Sequence, residues 1–294
     1  MPQVGEPGVK GTIVMAEPVR KARRSLWSRQ LAHFCLLAGV AVVILLPLFW
    51  LLISSLKTTA EYTAYPIKFF PSQPQWRNYL GVLFYPPFTF ALLRTFGLGI
   101  TTAAITCITS AMAGYAFARI GGKASRHLFK VVIVLLIVPY IVMLLPQFVL
   151  YARLKLVNTY WPWYLAALGA TNPLYIFMYR QFFLGFPKEL EEAAEMDGAT
   201  PAGIFFRIFL PNAKPAIATI FIFAFNAIWG DYIMPAMFLN DPSRLLGTFM
   251  APGFSPHYQT TFLAATVIYI LPVFILFLLI QKNIQKGFLF SGFR

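Results

Sequence analysis

Long apolar runs separated by short polar ones set the pattern of the chain. Six apolar stretches fall at approximately 31–56, 90–117, 131–149, 161–182, 216–234 and 261–280. A helix of roughly 20 residues crosses the ~30 Å hydrocarbon core of a bilayer, so the pattern predicts six transmembrane helices and an all-α, polytopic membrane fold. Pro47 predicts a kink in the first span, and Pro139 and Pro146 predict a distorted third span. The second span carries Gly97, Gly99, Ala103, Ala104, Ser110, Ala111 and Gly114. Small side chains let helices approach closely in lipid, where apolar burial alone gains little. Trp161, Trp163 and Tyr164 mark one interface of the fourth span, and Tyr179 with Arg180 marks the other.

The polar stretches differ in kind. Residues 1–30 mix Gly, Pro and basic residues and read as a cytoplasmic tail; residues 57–87 hold five prolines and read as an external loop with a short surface helix. Residues 239–260 read as a second outer segment and 281–294 as a cytoplasmic tail. About thirty largely polar residues precede the first apolar run, which has the length of a full span, so no cleaved signal peptide is expected.

The segment between the fourth and fifth spans, Lys188 to Pro211, stands apart. The chain has ten acidic residues, and five of them, Glu189, Glu191, Glu192, Glu195 and Asp197, lie within it. Glu189 to Met196 is rich in helix formers, Gly198 supplies a turn, and Thr200 followed by Pro201 has the chemistry of a helix start. Leu210-Pro211 is expected to end this second short helix. Two short helices at a sharp angle make a hydrophilic knob between membrane spans, facing water or a partner protein.

Composition agrees with the membrane reading: 59% of residues are hydrophobic and 12% charged. The net charge of +14 would suggest nucleic acid in a soluble protein, but here the basic residues cluster between spans, where they set topology and meet anionic lipid headgroups. Six spans put both termini and the acidic knob on one side, with 17 of the 24 Lys and Arg residues; the opposite side has 7. The bias places the knob and both ends in the cytoplasm. Nucleic-acid binding is excluded on the same ground. Cys35 and Cys107 both lie in apolar runs, and His33, His127 and His257 are scattered, so neither a disulfide framework nor a metal site is expected. No G-x-x-x-x-G-K-[ST] phosphate loop occurs, and no acid, base and nucleophile converge in sequence, so the chain is not expected to be an enzyme.

An acidic residue within an apolar run is a functional candidate by default. Asp231 is one, in Trp229-Gly230-Asp231-Tyr232, although an outer-end residue that is hydrated or locally paired accounts for it equally well.

Glu192-Ala193-Ala194, then Gly198, then Ile208 and Leu210-Pro211 resemble the EAA motif of the membrane subunits of bacterial ATP-binding-cassette importers. Leu154 to Tyr160, LKLVNTY, resembles a segment of carbohydrate-importer permeases, and residues 281–294 resemble their C-terminal ending. Residues 229–232 resemble a W-N-[ED]-[FY] pattern of the family, with Gly230 where asparagine is usual. The overall likeness is to the second permease subunit of maltose-type carbohydrate importers.

The resemblance implies a type I importer core in a prokaryotic inner membrane, with 188–211 as coupling helices that dock on a separate ATPase. Glu192, Ala193, Ala194, Asp197, Gly198, Ile208, Leu210 and Pro211 would form that coupling site. Trp229, Asp231 and Tyr232 would be candidates for the solute pathway. The implied partners are a second homologous permease, two ATP-binding subunits or a dimeric ATPase, an extracytoplasmic solute-binding protein and a carbohydrate. ATP and magnesium would sit on the ATPase, with no cofactor on this chain. Uptake of glycerol phosphate or another polar solute, and a scaffold that holds an ATPase without transporting, are the alternatives.

Overall fold

A computed structural model describes residues 17–250 and 259–291, with side chains placed over 30–241, 243–250 and 259–282. The N-terminal sixteen residues, the middle of the second outer segment (251–258) and the last three residues lie outside the described part. In chain order the helices are α1 (Glu17–Ser55), α2 (Thr59–Tyr62), α3 (Arg77–Leu83), α4 (Pro86–Arg119), α5 (Lys123–Leu135), α6 (Tyr140–Arg153), α7 (Trp161–Leu168) and α8 (Pro173–Leu184). They continue with α9 (Glu189–Met196), α10 (Pro201–Ile204), a π-helical turn (Phe205–Phe209), α11 (Leu210–Asn212), α12 (Lys214–Trp229), α13 (Ile233–Phe238), α14 (Leu246–Phe249) and α15 (Gln259–Ser291).

Among the described residues three helical segments, Gln30–Ser55, Pro86–Arg119 and Gln259–Lys282, are long and apolar enough to cross a membrane unaided. Two bent pairs raise the number to five if each is one span: α5 with α6, bent by 105°, and Pro201–Asn212 with α12, bent by 80°. The count of six read from hydropathy is therefore not reproduced. The physical reason is that an apolar run specifies length and not continuity. Pro139, which lacks an N–H, separates α5 from α6, and the 161–182 run is interrupted between Leu168 and Pro173. Both ends of the chain also carry helix into regions read as tails: α1 begins at Glu17 and α15 runs on to Ser291.

α4 is the centre of the bundle. Its buried side includes Phe88, Ala91, Thr95, Gly99, Ala103, Cys107, Ala111, Gly114 and Tyr115, a stripe repeating at three and four residues. α8 and α12 pack on it, and α12 in turn packs on α15. Two glycines set how close these helices come. A Cβ at Gly114 would lie 2.5 Å from the Tyr179 Cβ and 3.0 Å from the Arg180 amide nitrogen of α8, and one at Gly99 would lie 2.9 Å from the Phe225 ring of α12. The small-residue face is thus used on both sides of α4. Cys107 is free and buried, and Cys35 is free and exposed.

α1 stands apart from this core, packing on α15 and exposing Leu36, Val43, Leu45 and Phe49 among others. Its end is fastened by the following loop. Asn78 Nδ2 donates to the carbonyls of Ser55 and Lys57 at 2.8 and 3.1 Å, and Ser55 Oγ lies 2.6 Å from the Tyr79 hydroxyl. Thr58 and Glu61 form a capping box around α2, and the Ser72 amide donates to Glu61 at 2.9 Å. The bond from the Ser72 backbone, followed by the Ser72 hydroxyl and the Thr58 backbone, pulls the Glu61 carboxyl down to about 2. The stretch 57–87 is therefore a structure folded by polar bonds, not a bare connection between helices.

Candidate functional site

The acidic segment folds as its local chemistry dictates. α9 covers Glu189–Met196, with Glu189, Glu191 and Glu192 in its first turn, where negative charge is stabilised by the helix dipole. Gly198 has φ +77°, a left-handed conformation that costs glycine little. Thr200 Oγ1 accepts from the Gly203 amide at 3.2 Å and caps the next helix, with Pro201 in its first turn. Leu210-Pro211 does not end that helix. Helical backbone passes through the π turn to Asn212 and bends only at Ala213. Pro211 lies in the last turn before that bend, where its missing N–H removes one bond from the helix.

The motif residues divide between two faces. Glu192, Ala193, Asp197, Gly198 and Pro211 are exposed, whereas Ala194, Ile208 and Leu210 are half-buried against the main core. Glu189, Leu190, Glu195 and Met196 join the exposed set, giving α9 an exposed surface of acids interrupted by Leu190, Ala193 and Met196.

What anchors this segment is a residue the sequence does not single out. Arg119, the last residue of α4, has a side chain 5% exposed. One terminal nitrogen donates to the Phe183 and Phe186 carbonyls at 2.7 and 2.6 Å, satisfying acceptors at and beyond the end of α8. The other lies 3.6 Å from Glu191, and the guanidinium sits 5.0 Å from the centre of the Phe209 ring in the π turn. Tyr115, one turn earlier on α4, donates to Glu191 at 3.4 Å and packs against Phe205 and Phe209. Glu191 is therefore the acid tied inward, while Glu192 of the motif faces out. In sequence Arg119 is one of several basic residues beside a span; its contacts lie more than sixty residues away.

Gly198 supplies a direct prediction. Nothing lies within 4 Å of a Cβ at that position, so substitution there tests backbone conformation alone. Gly198→Val is expected to destabilise the α9–α10 turn by about 1–3 kcal/mol, because a β-branched residue resists positive φ. Faster amide exchange over 197–203, without loss of the protein from the membrane, is the measurement; unchanged exchange would remove the turn's role.

The second candidate region is a cavity of about 660 Å³. Thr102 and Thr106 of α4, Tyr140 at the start of α6, Trp163 of α7, Thr171 and Asn172 before α8, Tyr175, and Gly230 to Met234 contribute to its wall. Three helix interruptions meet there: the bend before Tyr140, the break at 169–172 and the one between α12 and α13. Non-helical backbone at membrane depth is tolerated where it lines a cavity, and it brings polar groups to the wall.

Asp231 sits at the third break. Its carboxylate accepts from Trp163 Nε1 at 3.1 Å and from the Met234 amide at 3.0 Å, so it caps α13 and fixes the indole of α7. Gly247 lies against the Asp231 backbone so closely that a Cβ would collide with its carbonyl, and the neighbouring Leu246 amide donates to Thr95 Oγ1 of α4 at 2.7 Å. Tyr232 also lines the cavity. Trp229 does not. Its ring stacks on Phe225 and Tyr269, and its Nε1 donates to the Tyr269 carbonyl at 2.9 Å, making it part of the α12–α15 packing. The 154–160 segment has a structural part: Asn158 donates its N–H to the Phe238 carbonyl at 2.7 Å, and its side-chain oxygen accepts from the Asn240 amide at 3.3 Å. No group of three or more metal-ligating side chains occurs among the described residues.

Comparison with known proteins agrees with this architecture. Residues 110–289, which include the acidic segment and all of the cavity wall except Thr102 and Thr106, match the family described as binding-protein-dependent transport system inner membrane component. The sulfoquinovosyl glycerol transport system permease protein SmoH of Agrobacterium fabrum is 30% identical over 85% of this chain and 89% of its own length. The arabinooligosaccharides transport system permease protein AraQ of Halalkalibacterium halodurans is 36% identical over 66% of this chain and 70% of its own length. The trehalose transport system permease protein SugB of Mycobacterium tuberculosis is 29% identical over 83% and 90%. A crystal structure of a bacterial ABC transporter involved in import of the acidic polysaccharide alginate contains a chain with the same fold, with a TM-score of 0.73 at 21% identity, covering 88% of this chain and 97% of that one. Spans, breaks and family match lead to one assignment: the chain belongs to the binding-protein-dependent transport system inner membrane components, the non-enzymatic permease subunits of ABC importers.

Proposed function

We propose that this chain carries a carbohydrate across the membrane, coupled through residues 188–211 to a separate ATPase. The cavity where three helix interruptions converge carries the reading. Its aromatic rings can cover sugar faces, and its threonines, Asn172 and Asp231 can exchange hydrogen bonds with hydroxyls. The relatives described above act in transport of sulfoquinovosyl glycerol, arabinooligosaccharides and trehalose, which supports the same solute class.

The assembly follows from the chemistry of the acidic segment. Its exposed acids and small side chains suit close docking on the ATPase, which holds ATP and magnesium, and the chain itself holds no cofactor. Glu192 makes a polar contact there, Ala193 leaves room for the partner, and Gly198 shapes the turn. A second homologous permease completes the pathway, and an extracytoplasmic binding protein delivers solute. Both termini and residues 188–211 face the cytoplasm, in keeping with the distribution of basic residues.

The purified complex, reconstituted with its binding protein, is expected to hydrolyse ATP faster in the presence of one or a few sugars. A panel of neutral sugars, anionic sugars and polyol phosphates is the test. Stimulation by polyol phosphates alone would replace the solute class, and ATPase binding without any stimulation or a second permease would favour a scaffold.

A further inference from the structure

The cavity wall contains a glycine that neither its backbone nor its packing requires. Gly230 is the one glycine among the described residues of the lining. Its φ of −92° and ψ of 7° are open to other residues, so no left-handed conformation calls for glycine there. A Cβ at Gly230 would lie 3.5 Å from the Asn226 carbonyl oxygen and 3.7 Å from the Tyr269 hydroxyl, ordinary contacts, with nothing else within 4 Å. Gly114 and Gly99 differ, since neighbouring helices press on both. The space in front of Gly230 is therefore open, and both atoms that bound it are polar. The Tyr269 hydroxyl donates to the Trp229 carbonyl at 3.3 Å, which leaves its oxygen able to accept. Gly230 is exposed, as is Asn226 one turn earlier on the same face of α12.

We infer that the missing side chain at Gly230 makes a side pocket of the cavity, in which part of a carbohydrate larger than one sugar ring lies against the backbone, so that residue 230 limits the size of solute carried. The proposal rests on the carbohydrate reading above and adds a size to it. Glycine is the residue that lets a ligand approach backbone closely, and here that approach is the use left for it once conformation and helix packing are set aside. Sugar hydroxyls entering the pocket meet the Tyr269 oxygen and the exposed Asn226. A longer side chain at 230 would take this room from a large solute, whereas a single ring seated elsewhere along the wall would keep its place.

The test fills the pocket after the protein has folded. Gly230→Cys is made together with Cys35→Ser, since Cys35 is exposed and Cys107 is buried. Methanethiosulfonate reagents join a thiolate through a disulfide, so they report a thiol that water reaches, and they exist in graded sizes. The probes are the mono-, di- and trisaccharides of glucose, galactose and arabinose, titrated by saturation-transfer NMR against the intact complex of both permeases and the ATPase, without the binding protein. Attachment of a benzyl-sized group is expected to lower the affinity for the trisaccharide, relative to the monosaccharide of the same series, at least about tenfold. A methyl-sized group is expected to do so less, and reductant to reverse both. Gly230→Leu is expected to show the same shift without any reagent. An equal loss for all sizes, no loss on a labelled thiol, or a thiol that no reagent reaches would each overturn the inference while leaving the carbohydrate reading standing. Binding of none of the sugars by the unmodified protein would overturn both.

Discussion

Arg119→Ala is expected to lower solute uptake by at least about tenfold while the complex still assembles and hydrolyses ATP. Arg119 closes the end of α4, the helix that supplies Thr102 and Thr106 to the cavity wall roughly 20 Å away at 1.5 Å per residue. At the other end its guanidinium holds the Phe183 and Phe186 carbonyls, neighbours Glu191 of α9 and stacks on Phe209 of the π turn. A push on the acidic segment is thus expected to reach α4 through this nearly buried side chain, alongside Tyr115. Removing it takes a donor from the Phe186 carbonyl and one of the donors from the Phe183 carbonyl, which also accepts from the Phe186 amide at 3.1 Å, and costs about 2–4 kcal/mol, mostly through the two short charge-assisted bonds. Arg119→Lys keeps the charge but not the fork, so it is expected to fall between. Glu191→Gln is expected to be mild, within about 1 kcal/mol, because the ion pair is long and Glu191 is partly solvated. The measurement is the ratio of solute moved to ATP hydrolysed; a tenfold loss in both together, with the ratio intact, would sink the transmission role.

The second large effect is expected at Gly114. Leucine there must put its Cβ where Tyr179 Cβ and the α8 backbone already lie, at 2.5 to 3.2 Å. Backbone cannot rotate away as a flexible side chain can, so α4 and α8 must separate, undoing the contact that buries Tyr115, Tyr175, Tyr179 and Phe183. The cost exceeds the 1–3 kcal/mol usual for overpacking, and Gly114→Leu is expected to yield little folded protein. Gly97→Leu is the control, since nothing lies within 4 Å of a Cβ there. Comparable recovery of the two variants from membranes, judged by size-exclusion profile and thermal unfolding, would refute the close-packing argument.

Local chemistry was legible in the sequence, and distant chemistry was not. The helix at Glu189–Met196, the turn at Gly198 and the cap at Thr200 follow from residues within a few positions of one another. The glycines of α4 signal close packing, although not which neighbour each would meet. Pro139 marked the third span as distorted, and the bend before Tyr140 falls there, whereas the interruption before Pro173 is hidden by hydropathy, because an apolar average does not register a positive φ such as that of Ala170. Trp229 and Asp231 are two residues apart and share one motif, yet one turns into the core and the other to the cavity; that division depends on α15 and α7, remote in the chain. Arg119 was unreadable for the same reason.

The π turn at Phe205–Phe209 bears on how the segment tolerates change in chain length. Buried positions there recur every four residues, at Phe205, Phe209 and Ala213, and in a regular α-helix of 3.6 residues per turn each such step overshoots by about 40°. A wider turn absorbs part of the overshoot between Phe205 and Phe209 and keeps both rings against Tyr115, with Phe209 also against Phe183. The segment therefore behaves as an α-helix with one residue inserted. Deleting Phe206, which is half-exposed, would restore regular winding but swing everything before it by roughly 100° about the helix axis, carrying the exposed acidic face of α9 around with it. Point substitutions can accumulate here, whereas single-residue insertions and deletions would be counted against the direction in which the exposed acids of α9 point.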